Sequence, residues 1–374
     1  MALVSAWLDP VRERRDRLLA NRRFQRWAAA FPLTRPIARR RARALFDLCA
    51  GFVYSQVLTA FVRLGLPALL LGAPQTVAAL ARRLDVPEEA MRRLLDAAAA
   101  LRLAEPRGDD RYGLGDLGAA LAGQPAVAAM VEHHALLYAD LRDPLALLRG
   151  AAGETALSRY WPYATRGAGH TGDAADVAPY TALMAASQPL VADEILDAYP
   201  LRRHRCLLDV GGGDGTFAVE AARRAPDLAV RLFDLPAVAQ KATARFAAAG
   251  LAGRAQAVGG DFHRDALPAG ADVATLVRVV HDHDDAVARA LLRAVHRALP
   301  PGGTLVVAEP MAGVAGAEPV GDAYFGFYLL AMGSGRPRAA EALGALISSA
   351  GFAKPRAVAT ASPWQTGVLV ARRL

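Results

Sequence analysis

Cysteine is nearly absent. The 374 residues contain two, Cys49 and Cys206, far apart in sequence and in no metal-ligand spacing. That excludes a disulfide framework and points to a reducing, cytoplasmic compartment, with no metal site expected. Lysine is equally scarce, two residues against 42 arginines, a usage that reflects genome composition more than chemistry. Long uncharged apolar runs are also missing. The longest window, residues 64–80, is interrupted by Pro67, Gly72 and Pro74 and makes a poor membrane-spanning helix. No secretory leader is recognisable, because residues 1–9 run straight into an arginine-rich stretch. There is no internal repeat and no low-complexity tract beyond alanine richness. What remains, 53% hydrophobic and 21% charged, is a folded chain with a large core and length enough for two domains.

The net charge of +8 is concentrated at one end. Residues 1–43 hold twelve arginines against three acids, Asp9, Glu13 and Asp16. Trp7, Leu8, Leu18, Leu19, Phe24, Trp27 and Phe31 are interleaved with them. Such an arm suits an anionic membrane surface, a nucleic-acid backbone, or a partner subunit that it wraps with a solvated face. Residues 44–63 are apolar nearly all round, the pattern of a helix buried on more than one side, as in a dimer core. Beyond them a helical stretch from Thr76, a Pro87-started helix to about residue 101, and short strands near 103–107 and 112–114 form a winged-helix pattern. A DNA-binding regulator is the rival reading from another class. Against it, residues 88–101 offer Arg92 and Arg93 but little of the Asn, Gln and Ser chemistry that reads base edges. Residues 126–200 read as further helices with breaks at Pro144, 150–153, Pro162 and 167–172.

From residue 201 strands and helices alternate. Strands are expected at 206–210, 229–234, 255–259, 272–280, 303–309, 354–360 and 366–371, with helices at about 215–225, 236–249, 284–299 and 339–350. Alternating units imply a parallel sheet with ligand bound outside the strand C-termini. Five residues separate the last two strands, so they form an antiparallel hairpin. The expected organisation is an arm at 1–43, a winged-helix-like dimerisation domain at 44–125, a helical substrate-pocket region at 126–200 and a Rossmann-like domain at 201–374.

The first strand of that last domain runs into a glycine loop, with Asp209 before it and Gly211, Gly213 and Gly215 within it. Glycine lets the chain turn sharply and lets a ligand approach bare backbone. A dinucleotide fingerprint needs glycine at position 216, where this chain has Thr216. Alone the loop marks only a tight turn. Asp234 closes the next strand, where a carboxylate can accept both hydroxyls of a ribose. A ribose without a pyrophosphate suits S-adenosylmethionine. After the third strand come Asp261, placed to accept an adenine amino group, and Phe262, placed to stack on the ring.

The run His281-Asp-His-Asp-Asp285 follows the fourth strand. It places His281 at the sheet edge as a candidate general base, since an ordinary imidazole titrates near pH 6.5. Asp284 and Asp285 fit the start of the next helix. Metal binding is disfavoured because the run offers no closed ligand set. Glu309 closes the fifth strand, where a carboxylate can bond the imidazole N–H opposite the base nitrogen and fix its orientation. His133 and His134 lie in a helical segment and are candidates for a substrate pocket.

Together these residues resemble the small-molecule O-methyltransferases of plant phenolic and bacterial polyketide metabolism, over residues of about 45–374. The carrying segments are LLDVGGGDG, LFDLP, GGDF, VVHDHDD, LPPGGTLVVAEP and GRPRAAEALGALISSAGF. The resemblance implies a homodimer using S-adenosylmethionine without a metal. The fold it implies is a mostly parallel seven-stranded sheet with an antiparallel last strand, beside a mainly helical winged-helix dimerisation domain. Carried over, Asp209, Gly211, Gly213, Gly215, Asp234, Leu235, Asp261, Phe262 and Ser187 are the cofactor candidates. His281 takes the acceptor's proton and Glu309 orients it, while His133, His134, Met184 and Tyr324 face the substrate. Departures are His283 where a Trp is common, Ala340 where an acid often follows G-R-x-R, and Ser187 one residue early. The segments FPLTRPIARRRARALFDLCAGFVYSQ, MVEHHALLYADLRDPLALLRG and PYTALMAASQPLV are further similar to the carotenoid O-methyltransferases of purple photosynthetic bacteria. That likeness implies methylation of the C-1 tertiary hydroxyl of acyclic carotenoids, a lipid-borne acceptor that gives the basic arm a membrane to contact. No nucleic-acid partner is expected.

Overall fold

Residues 2–160, 174–363 and 365–374 are described by the computed structural model, with side chains from residue 8, at 183–185 and from 187 onward. The breaks expected at Pro162 and 167–172 lie outside the described residues, as does the side chain of Trp7. The chain divides into two units, Met1–Gly123 and Gln124–Leu374.

The first unit opens with helices α1 (Ala2–Ala20), α2 (Arg22–Ala30) and α3 (Arg35–Arg63). Asn21 separates the first two because its side-chain oxygen accepts the N–H groups of Arg23 and Phe24, which starts α2 afresh. Only the C-terminal end of α3 is buried, at Phe61 and Val62, whereas Leu45, Phe46, Leu48 and Phe52 stand exposed. By length and composition α3 is the one helix among the described residues long and apolar enough to cross a bilayer. The window 64–80 is not one helix. It divides into α4 (Leu66–Gly72), strand β1 (Gln75–Thr76) and the start of α5 (Val77–Leu84), with the left-handed Gly65 and the Thr76 cap as the breaks. After α6 (Glu88–Ala100), strands β2 (Ala104–Pro106) and β3 (Arg111–Leu114) complete a small antiparallel sheet ordered β1-β3-β2, and α7 (Asp116–Ala122) ends the unit.

The second unit starts with α8 (Pro125–Asp140), α9 (Pro144–Leu148), α10 (Ala156–Tyr160) and α11 (Ala174–Ala198). Seven strands follow: β4 (Cys206–Val210), β5 (Ala229–Asp234), β6 (Ala255–Gly259), β7 (Val273–Val277), β8 (Thr304–Glu309), β9 (Arg356–Val358) and β10 (Gly367–Arg372). They lie in the order β6-β5-β4-β7-β8-β10-β9. Only β10 runs against the rest, pairing antiparallel with both β8 and β9. Both faces are covered, so the central strands read as continuous apolar runs, and β7 and β8 are buried at every residue. Alternation decides which layer each side chain enters. Leu207, Val306 and Ala308 pack with α11, α12 (Thr216–Arg224) and α13 (Pro236–Ala248). Leu208, Leu305 and Val307 pack with α14 (Asp285–Ala298) and α16 (Ala340–Ser349) on the other face. Between β8 and α16 a π-helical turn, Pro319–Phe325, leads into α15 (Gly326–Met332). The strand order reverses between β4 and β7, so the crevice for a ligand opens above the C-terminal ends of β4, β5, β6 and β7.

Candidate active site

The loop after β4 is shaped by what a side chain would strike. Gly213 takes φ +61° and donates its N–H to Asp234 Oδ2 at 2.8 Å, while Leu235 N–H donates to Oδ1 at 2.7 Å. Each carboxylate oxygen keeps a lone pair for a ligand. A Cβ on Gly212 would come 2.5 Å from Asp209 Oδ2, so the loop lies directly on that acid. Asp209 is 1% exposed, accepts a hydrogen bond from Thr275 Oγ1 at 2.6 Å, and supports the loop from beneath. It is not on the cavity wall, and neither is Gly215, whose φ of +84° starts α12 close against Phe246. Burial pushes the Asp209 carboxyl up to about 7, with Asp234 adding to the Thr275-opposed effect. Burial likewise pushes Asp234 up to about 6 against the two backbone donors.

The cavity above the loop is lined by Gly211, Gly213, Asp234, Leu235, Asp261 and Phe262 from the expected set, and by Met184. Among the described residues four carboxylates face it, Asp214, Asp234, Asp261 and Asp282, against the one guanidinium of Arg278. Such a wall complements a ligand with a cationic centre. Arg278 was not read from the sequence. It sits at the end of β7 with φ +55° and donates to Ser187 Oγ at 2.7 Å, to the Met184 carbonyl at 3.1 Å and to Gln188 Oε1. Ser187 therefore anchors Arg278 and is not itself on the wall. The only sequence signal was an arginine immediately before the apolar pair that leads to His281.

The His281 run forms a tight turn whose backbone is held on both sides. Glu309 Oε1 accepts the N–H groups of Val280 and His281. Arg338 donates to the carbonyls of Val280 (3.0 Å) and His283 (2.7 Å) and to Asp285. Arg336 N–H donates to the His281 carbonyl and Ser334 Oγ to that of Asp282. Gly335 has to lack a Cβ, since one would stand 2.1 Å from the His281 carbonyl. The expectation that Glu309 bonds the imidazole is corrected here. Its oxygen is 3.7 Å from His281 Nδ1, and it holds the ring through the backbone and by its charge. Asp284 is the N-cap residue of α14 and Asp285 its first-turn acid, but their side chains bond elsewhere: Asp284 accepts Gly335 N–H and Asp285 pairs with Arg338 and Arg336.

Three neighbouring side chains of this turn divide their exposure. Asp282 and His283 line the cavity, whereas His281 does not. The His281 ring turns towards Phe325, centroids 6.1 Å apart, with Nε2 3.1 Å from Asp282 Oδ1. Burial alone would lower its pKa, but the charges of Asp282 and Glu309 prevail and the net shift is upward. His283 is the converse case, pushed down to about 3 by burial with His263 adding to it, and it meets Phe262 edge-on.

Beyond Phe325 the aromatic contacts continue. Tyr324 packs on Phe325, and its hydroxyl lies 2.8 Å from His134 Nε2; Tyr328 pairs with His133 Nε2 at 2.7 Å. Burial depresses both imidazoles, His133 to about 4, so each remains a neutral hydrogen-bonding group beside a largely apolar cluster. The fold thus brings His133, His134, Tyr324 and Met184 into one cluster, two of them across some 190 residues of sequence.

Comparison with known proteins follows the same outline. A family model described as the O-methyltransferase domain matches residues 138–353, and one described as the O-methyltransferase dimerisation domain matches residues 46–124. The chain is 44% identical to the demethylspheroidene O-methyltransferase of Cereibacter sphaeroides, over 96% of this chain and 94% of that one. It is 41% identical to the demethylspheroidene O-methyltransferase of Rhodobacter capsulatus, over 96% of this chain and 88% of that one. Among solved structures, CalO1, a methyltransferase in calicheamicin biosynthesis in its SAH-bound form, matches with a TM-score of 0.73. It is 27% identical, over 90% of this chain and 98% of that one.

Proposed function

This chain belongs to the O-methyltransferase family and is an S-adenosylmethionine-dependent enzyme of it, and from that premise we propose that it methylates the C-1 tertiary hydroxyl of an acyclic hydroxycarotenoid. The observation that carries this is the 44% and 41% identity, along nearly the whole chain, to two enzymes named for demethylspheroidene. The dimerisation-domain match makes it a homodimer.

The four carboxylates of the cavity fit the cofactor. When bound, it supplies a methyl group activated on a positively charged sulfonium. Asp234 would hold the ribose hydroxyls, Leu235 and Phe262 the adenine faces, and Asp261 the adenine amino group, while Gly211 and Gly213 would allow close backbone approach. Among the described residues of the cavity wall, Arg278 brings a guanidinium to the side where the cofactor's carboxylate would lie, anchored by Ser187. Asp209 and Gly215 act on the loop from below and behind. His281 accepts the proton that the acceptor hydroxyl loses, with an affinity raised by Asp282 and Glu309. A tertiary alcohol is a far weaker acid than a phenol, so alignment and water exclusion have to supply much of the acceleration. Phe325, Tyr324, Met184 and the neutral His133 and His134 support that reading, because they gather apolar and aromatic groups next to His281, as a polyene acceptor would need. The residue ranges 1–43, 44–125, 126–200 and 201–374 then serve as arm, dimerisation, substrate-pocket and cofactor regions of a cytoplasmic enzyme that touches the membrane peripherally.

The test is transfer of labelled methyl to a 1-hydroxy acyclic carotenoid in detergent, beside a catechol. Label in the carotenoid ether alone is the expected result. Label only in the phenol overturns the acceptor assignment and leaves the family intact.

A further inference from the structure

Two apolar surfaces stand open on the first unit, and they differ in charge. On α3, Leu45, Phe46, Leu48 and Phe52 are exposed in a stretch, 45–62, whose only charged residue is Asp47. The dimerisation-domain match begins at residue 46, so a second copy accounts for that surface. The other surface precedes it. Phe24, Trp27 and Phe31 line one side of α2 and its C-terminal cap, with ring centroids 5.6 and 5.1 Å apart. Leu33 and Ile37 continue the stripe, and Leu33 is 80% exposed. At 100° per residue, Arg22 and Arg26 fall on the other side of the same helix and Arg23 flanks the stripe beside Trp27.

The arginines are largely unneutralised. Of the twelve in residues 1–43, four reach a carboxylate, in the pairs Arg12–Asp9, Arg15–Asp16, Arg17–Glu13 and Arg43–Asp47. Among the described residues the other eight, including Arg22, Arg23, Arg26, Arg39, Arg40 and Arg41, have no carboxylate partner. An aromatic stripe among unpaired guanidinium groups does not suit a protein core, where an unpaired charge is costly. Two copies of the same surface would bring like charges together. Acyl chains beneath anionic phosphates satisfy both features at once: arginines reach the phosphates while tryptophan sits at the headgroup boundary.

We propose that α2, its cap and the start of α3 dock on an anionic bilayer, with Trp27, Phe31, Leu33 and Ile37 entering the acyl boundary and the unpaired arginines on lipid phosphates. The 96% coverage of the two demethylspheroidene enzymes leaves about 15 residues of this chain unmatched, so the shared region takes in most of the arm. The docking gains its purpose from the lipid-borne acceptor proposed above, and it is tested without that acceptor.

The full chain is floated with vesicles of phosphatidylcholine alone or with a third phosphatidylglycerol, at low and high salt. Binding is expected on the anionic vesicles only, and salt weakens it. Trp27→Ser with Phe31→Ser should weaken it by more than about tenfold, and Arg22, Arg23 and Arg26→Gln by about fivefold for each arginine. Both variants should keep the wild-type melting temperature and sedimentation. Equal binding to neutral vesicles, no binding to either, or variants that bind like wild type overturn the proposal. So does a variant that sediments as a monomer, which would make the stripe a protomer contact, or DNA binding in place of vesicle binding. Loss of carotenoid methylation with vesicle binding intact strikes the acceptor assignment and leaves the docking surface standing.

Discussion

Replacing Arg338 with methionine removes the guanidinium that closes the His281 turn while keeping a side chain of similar length. Arg338 is 5% exposed, so methionine brings no water to the site. The His283 carbonyl loses its donor, at about 1–3 kcal/mol for a buried group left unsatisfied, while the Val280 carbonyl keeps His283 N–H at 3.3 Å and loses about 1 kcal/mol. Asp285 is 44% exposed and keeps Arg336, so its loss adds about 1 kcal/mol at most. With some offset from the buried methylenes, the net is about 3 kcal/mol, or about 10 °C in Tm for a unit of this size. Differential scanning fluorimetry measures that directly. Stability alone does not test the geometry, so turnover is followed at a temperature where the variant is fully folded. If the turn relaxes by about 1 Å, methyl transfer falls about 100-fold, well beyond any loss of S-adenosylmethionine affinity. Arg338→Lys, able to reach one carbonyl but not both, should recover part of each effect. A Tm within about 2 °C of wild type, or a destabilised variant with full turnover when folded, would refute the reasoning.

Glu309→Gln keeps an oxygen for the N–H groups of Val280 and His281 but removes the charge that helps raise the His281 pKa. A base has to be neutral, so the acid limb of the kcat/KM profile should move to lower pH; an unmoved limb would mean the charge is not felt at the ring. The same raised pKa stabilises the fold below about pH 6.5 and that contribution is lost as pH rises through the folded value, so the variant's Tm should depend less on pH there. Asp234 shifts in the same direction for a different reason, its carboxyl being raised to about 6 by burial. The folded state holds its proton more tightly than the unfolded chain, so the apoprotein loses stability as pH rises from about 4 to 6. Asp234→Asn should therefore raise the apoprotein's Tm at neutral pH and weaken S-adenosylmethionine about tenfold or more in calorimetry, given two lost charge-assisted ribose bonds. Wild-type affinity should itself decline below about pH 6. Phe52→Asp places a charge on the open apolar surface of α3; sedimentation should show the dimer dissociating at about 100-fold higher concentration, from the lost burial and the buried charge.

Much of this protein was legible before folding. The glycine loop, the strand ends at Asp234 and Glu309, the closing hairpin and the arm's charge all follow from backbone freedom, two-residue alternation and net charge, which are local properties. The seven expected strands therefore match the sheet to within a few residues at each end. Other features depended on which groups the fold brings within 3 Å. Among the consecutive residues His281, Asp282 and His283, a 3₁₀ turn with no sequence period decides that the last two face the cavity and the first faces Phe325. Ser187 reaches the site through Arg278, 91 residues away, and Glu309 grips backbone and not ring. The window 64–80 looked like the longest apolar run, yet α3, with Asp47 in it, is the long apolar helix, because a single charge on a helix interrupts no hydrogen bond, whereas Gly65 and Pro74 end helices. Sequence determined the elements and their order; packing across the sheet edge determined which side of each catalytic candidate meets the ligand, since that depends on register between segments that share no local pattern.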